Sequence, residues 1–153
     1  MEGGGGSRVA LVMSQRWDAD IRQALLSDTL SMPAGELLGA IAMMMAVRMH
    51  FGFDHWVAIT DCLPVAGHLN RSVSASPQIQ LILRAALMWL PEVHWLGVHV
   101  LRRYNERADD LSKGHAKRVR GALETEGAYV VSAAAPPVVM DLARAACQLP
   151  GKA

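Results

Sequence analysis

The sequence predicts an α/β fold, a mixed sheet flanked by helices, and three observations predict it. Apolar runs of strand length, Arg8 to Met13, His55 to Thr60 and Trp95 to Leu101, alternate with longer stretches of helical periodicity. Ser, Pro and Gly punctuate those stretches where caps and turns belong. Of the 153 residues, 52% are hydrophobic, enough to bury the core of one domain. Strands alternating with helices require at least one parallel pair.

The elements follow in order. Gly3 to Gly6 form a flexible turn, or a linker, feeding the Arg8–Met13 strand. Asp18-Ala-Asp20 supplies the acidic first turn of a short helix reaching Leu26. Ser31 and Pro33 are start signals for a helix to about Met49, apolar nearly all round and so covered on more than one side. Its most apolar run, Leu37 to Val47, is too short to span a bilayer and is ended by Arg48 and His50, so no membrane partner is expected. After the His55–Thr60 strand come a short helix from Leu63 to His68 and a polar stretch, Asn70 to Ser76. Ser76 and Pro77 start a helix to Leu90, which Pro91 stops. The strand from Val93 to Leu101 runs into a turn at Tyr104-Asn105. Glu106 to Glu126 reads as helix, with Gly114 and Gly121 as potential breaks. Residues 1–121 form the expected domain, and 122–153 an extension with a short extended piece at Ala128 and a final helix from Val138 to Gln148.

A net charge of +1 says nothing about an anionic partner. Locally, Arg71, Arg102, Arg103, Lys113, Lys117 and Arg118 are candidates to hold phosphates, a solvated helix face being the plainer reading of the later cluster. Cys62 and Cys147 lack metal-binding spacing and indicate reduced thiols in a cell interior. His94 and His99, five apart on one strand, face opposite sides and cannot share a metal. Three carboxylates remain as candidate ligands for a divalent metal: Asp61 ends a strand, Asp109 lies early in a helix after the next strand, and Glu36 sits on the preceding helix. Asp110 points about 100° away from Asp109 on a helix and is the poorer choice. For Glu36 the plain alternative is a first-turn carboxylate favoured by the helix dipole.

The contexts of these residues carry a resemblance. Ala34-Gly-Glu36-Leu-Leu-Gly39 resembles the glutamate-bearing helix of ribonuclease H domains, Ile59-Thr-Asp61 their strand-end aspartate, and Asn105-Glu-Arg-Ala-Asp109 their last acidic motif. His99-Val, Ala108-Asp-Asp-Leu-Ser-Lys113 and Leu69-Asn-Arg-Ser-Val-Ser-Ala-Ser-Pro77 are similar to elements of retrotransposon reverse transcriptase polyproteins. The resemblance covers Gly3 to Lys113. It implies a ribonuclease H-like fold and cleavage of the RNA strand of RNA–DNA hybrids, with two Mg²⁺ or Mn²⁺ ions held by Glu36, Asp61 and Asp109. It also implies two partners, the hybrid and the reverse transcriptase domain of the same polyprotein. The family's first aspartate lies on a strand before a Gly-rich turn, whereas this sequence opens on that turn, and Glu2 is too close to the glycines to replace it. The expectation is therefore an N-terminally truncated sheet with weakened metal binding or lost activity. A non-catalytic nucleic-acid-binding or scaffolding module is the alternative, and an unrelated α/β domain whose carboxylates cap helices is a third.

Overall fold

A computed structural model describes residues 8–151, so the expectations on Glu2 and the Gly3–Gly6 turn lie outside the described residues. The chain is α/β, in the order β1 (Arg8–Met13), α1 (Ala19–Leu26), α2 (Met32–Phe51), β2 (His55–Thr60), α3 (Leu63–Arg71), α4 (Pro77–Trp89), β3 (His94–His99), a 3-10 turn (Arg102–Tyr104), α5 (Glu106–Ser112), α6 (Ala116–Thr125), β4 (Ala128–Ala133) and α7 (Pro137–Ala146). The expected caps hold. Ser31 Oγ accepts from Ala34 N–H at 3.2 Å and Ser76 Oγ from Ile79 N–H at 3.3 Å, satisfying amides that a helix start leaves without partners. The long helical stretch breaks at Gly114, whose φ of +83° suits glycine, and runs on through Gly121.

One mixed sheet was expected. Among the described residues there are instead two separate parallel pairs, β1 with β4 and β2 with β3. The core accordingly lies among helices. Ile21, Leu37, Leu38, Ile41, Leu69, Ile82 and Leu83 are all buried there, while the strands give it Trp56, Ala58 and Trp95 from one face. Helix α2 is 20 residues long, and by length and composition it is apolar enough to cross a membrane. It packs against α3, α4 and α7, with eight residues from Ala34 to Ala46 buried.

Residues 122–153, expected as an extension, share this core. Strand β4 runs in register beside β1, Arg8 opposite Ala128 and Met13 opposite Ala133, and α7 buries Val139, Leu142, Ala143 and Ala146. Arg144 joins α7 to α1, donating to Asp18 at 2.5 Å and Asp20 at 2.9 Å. That guanidinium holds the Asp20 carboxyl below the ordinary carboxylate range. A depressed folded-state pKa means a contribution complete above the unfolded value and lost as pH falls through the folded one. The melting-temperature gap between wild type and Arg144→Met is therefore expected at neutral pH and should close in strong acid, which melts across a pH series would check.

The β2–β3 pair has unlike borders. His94 N–H donates to Asp54 O and Val100 N–H to Thr60 O, so even-numbered residues of β2 face β3. Its odd-numbered backbone groups, at His55, Val57 and Ile59, then face a side that no described strand occupies. On the far border, Asn70 imitates a strand: Gly97 N–H donates to Asn70 Oδ1 at 2.7 Å, and Asn70 Nδ2 donates to Gly97 O at 2.9 Å. Trp95 Nε1 donates to Leu69 O at 2.7 Å beside it. This explains why α3 runs to Arg71 rather than stopping at His68: Asn70 is held in the helix by what its side chain does. The approach requires Gly97, where a Cβ would stand 2.7 Å from Ala66 O and 2.9 Å from Ala66 Cα. Gly97→Ala is expected to cost about 1–3 kcal/mol by overpacking against backbone that cannot yield. Gly39→Ala, with nothing within 4 Å of the added Cβ, is expected to gain about 0.5–1 kcal/mol of helix stability. Urea denaturation of both variants compares the two signs.

Candidate functional site

Two parallel strands ending side by side place their following residues at one rim, the usual location of sites on such sheets. Asp61 directly follows β2, and the chain leaves β3 through Val100 and Leu101 into the Arg102–Tyr104 turn. The turn is closed by Tyr104 N–H donating to Leu101 O and Asn105 N–H to Arg102 O, both at 2.9 Å. From it Arg102 Nε reaches back to Asp61 Oδ2 at 3.2 Å, so the ends of both strands meet in one ion pair. The Asp61 side chain is 23% exposed and the Arg102 side chain 80%.

Asp109 lies one turn into α5, its N–H donating to Asn105 O at 3.0 Å. Lys113 Nζ stands 2.8 Å from its carboxylate. The hydrogen bond from Lys113 chiefly, with smaller help from the charges of Arg102 and His115, holds the Asp109 carboxyl below the ordinary range against the opposing effect of burial. Asp110 turns towards α6 instead, 3.5 Å from Arg118 and 3.6 Å from His115. That is the divergence of neighbouring side chains expected on a helix.

Glu36 is the fifth residue of α2, beyond its first turn, which contains no acidic residue. The dipole explanation for this carboxylate therefore falls. Its side chain lies at the Cys62 thiol, which burial chiefly, and then Glu36 and Asp61, push above its ordinary range. Cys62 is thus the link between Glu36 and Asp61, and its place beside Asp61 in the chain was the available signal. The raised pKa also removes it as a ready nucleophile. Glu36 lines a cleft of about 660 Å³ together with Met13, Trp17, Gly39, Met140 and Lys113.

The arrangement joins Asp61 to Arg102, sets Asp109 on Lys113 within electrostatic reach of Arg102, and leaves Glu36 at Cys62. Among the described residues no three His, Cys, Asp or Glu side chains form a group that could hold a metal ion. Of the candidate phosphate contacts, Arg102 and Lys113 pair with the two aspartates and Arg118 with Asp110. The Arg103 guanidinium lies 5.0 Å from the centre of the Tyr104 ring. Lys117 is exposed on α6. Arg71 closes α3, about 12 Å along that helix from the end nearest Asp61 by the rise per residue. Its guanidinium folds back over Gly67. Five of the six cations therefore follow one another along the Arg102–Arg118 segment, and Arg71 stands apart. No family model, curated protein or solved structure matches this chain.

Proposed function

We propose that the chain is a ribonuclease H-like domain of a retroelement reverse transcriptase, cleaving the RNA strand of RNA–DNA hybrids with divalent metal. The observation that carries this reading is Arg102, which leaves the end of β3 to pair with Asp61 at the end of the parallel strand β2 and lies within electrostatic reach of Asp109 on α5. Asp61, Asp109 and Glu36 are hard oxygen donors of the type Mg²⁺ or Mn²⁺ takes, and they would have to draw together to hold one, since they form no metal-holding group in this structure. Arg102 and Lys113, the cations now on the aspartates, are long side chains 80% and 61% exposed, free to turn outward. When bound, such ions supply an activated water and neutralise charge at the scissile phosphate.

The chain's own contribution is placement. Asp61 is fixed by the end of β2 and Asp109 by α5, while Glu36 approaches from α2. Arg102, Arg103, Lys113, Lys117 and Arg118 would hold the sugar-phosphate backbone without reading sequence. The reverse transcriptase domain of the same polyprotein would be the neighbour that delivers the hybrid. The neutralised carboxylates and the offset of Glu36 favour one second reading, a nucleic-acid-binding module without catalysis. An end-labelled RNA–DNA hybrid incubated with Mg²⁺ or Mn²⁺, beside a chelated control, separates the two. Cleavage confined to the RNA strand and lost on chelation is expected. Salt-sensitive binding without cleavage would favour the second reading, and neither binding nor cleavage would overturn both.

A further inference from the structure

The turn that brings Arg102 to Asp61 also puts an aromatic ring in solvent. Tyr104 is 69% exposed and Leu101, at the start of the same turn, is 53% exposed. An exposed tyrosine alone means little, but this one is held from behind. The Arg103 guanidinium lies 5.0 Å from its ring centre, a cation–π contact. Two backbone hydrogen bonds of 2.9 Å close the turn around it. A cation stacked on an aromatic ring leaves one ring face open, and it places a positive charge where a phosphate could follow. Flat apolar surface beside positive charge is how proteins take hold of unpaired nucleotides, because every base offers a π-face. Inside a duplex those faces are already stacked on one another and are not available.

We infer that Tyr104 is a stacking platform for an unpaired base, so that the site takes the junction between a hybrid and a single strand in preference to the interior of a duplex. This rests on the nucleic-acid reading above and names its substrate class. The base lies on the open face of Tyr104, Arg103 and Arg102 face the adjoining phosphates, and the neighbouring nucleotide is brought to Asp61 and Asp109. Tyr104 is a positioning residue and takes no part in chemistry.

The test is binding in chelator, so that cleavage does not intervene, to three labelled probes: a blunt RNA–DNA hybrid, the same hybrid with a short unpaired extension, and the single strand alone. Wild type is expected to hold the extended hybrid about tenfold more tightly than the blunt one, the scale of one base stacked on an aromatic ring. Tyr104→Ala should bind both hybrids alike, and Tyr104→Phe should keep the preference. Equal wild-type affinity for the two hybrids, or a preference that survives in Tyr104→Ala, overturns the inference while leaving the hybrid reading in place. Binding to none of the probes overturns both. A Tyr104-dependent preference in a protein that cleaves nothing upholds the platform and removes only the nuclease.

Discussion

Asp61→Asn is expected to abolish divalent-dependent cleavage of the hybrid while leaving the fold in place. Asparagine keeps the size and shape of the side chain and loses its charge, and charge is what recruits a hard cation. Metal stabilisation of a phosphoryl transition state is worth several kcal/mol, so the loss should exceed about 100-fold. The cost to stability should stay below about 1 kcal/mol, because the ion pair removed is with an arginine whose side chain is 80% exposed. Arg102→Ala supplies the opposite sign at the same place: with its competitor gone, Asp61 is expected to bind Mn²⁺ more tightly, measurable by electron paramagnetic resonance. If Asp61→Asn cleaves and binds metal as wild type does, Asp61 is no metal ligand and the site assigned here is the wrong one.

Gln78→Leu carries the largest expected stability loss. Gln78 is fully buried at the start of α4. Its Oε1 accepts from Ser31 N–H at 3.0 Å, and its Nε2 donates to Thr29 O at 2.6 Å and Leu149 O at 3.0 Å. One amide thus joins the α1–α2 connection, the head of α4 and the chain beyond α7, with Ser76 Oγ donating to Gly151 O at 2.6 Å alongside. Leucine matches the volume but leaves one amide and two carbonyls without their partner. At about 1–3 kcal/mol for a buried polar group left unpaired, and less for the carbonyls of the exposed Thr29 and Leu149, a loss of about 2–4 kcal/mol is expected. The denaturation midpoint would show it. Gln78→Glu should fare little better, because an ionised carboxylate cannot donate to the two carbonyls. A loss below about 1 kcal/mol in both variants would mean that water replaces the amide.

The local grammar of the chain was readable and its long-range pairing was not. Strand β2 has the expected bounds because Gly52 ends α2 and Asp61 ends the apolar alternation. Helix α4 starts where Ser76 and Pro77 say it should, and the break at Gly114 follows from a backbone conformation that glycine alone adopts cheaply. The pairing of β4 with β1 joins residues about 120 apart, and nothing local distinguishes Ala128-Tyr-Val-Val from a piece of extension. Asn70 looks like loop because polarity is all its neighbourhood in the chain shows, whereas its purpose is a contact with Gly97, 27 residues on. Gln78 left a usable trace: it stands four and eight residues before buried Ile82 and Ala86, on the face of α4 that enters the core. For the candidate site, the strand-end position of Asp61 and the helical position of Asp109 were legible. Their partnership with Arg102 and Lys113, and the thiol between Glu36 and Asp61, required the fold.

The Asn70 clasp on Gly97 has a consequence for how molecules of this chain can meet. A sheet with two open borders can recruit copies from both sides and lengthen without limit, the geometry of a fibre. Here one border is blocked at Gly97 by a side chain of the same molecule, and among the described residues no strand lies on the border of β2. Two copies meeting through it would do so face to face about a twofold axis, and each would then be spent. Growth of this sheet by strand addition is thus opposed at the Gly97 border and directed to the border of β2.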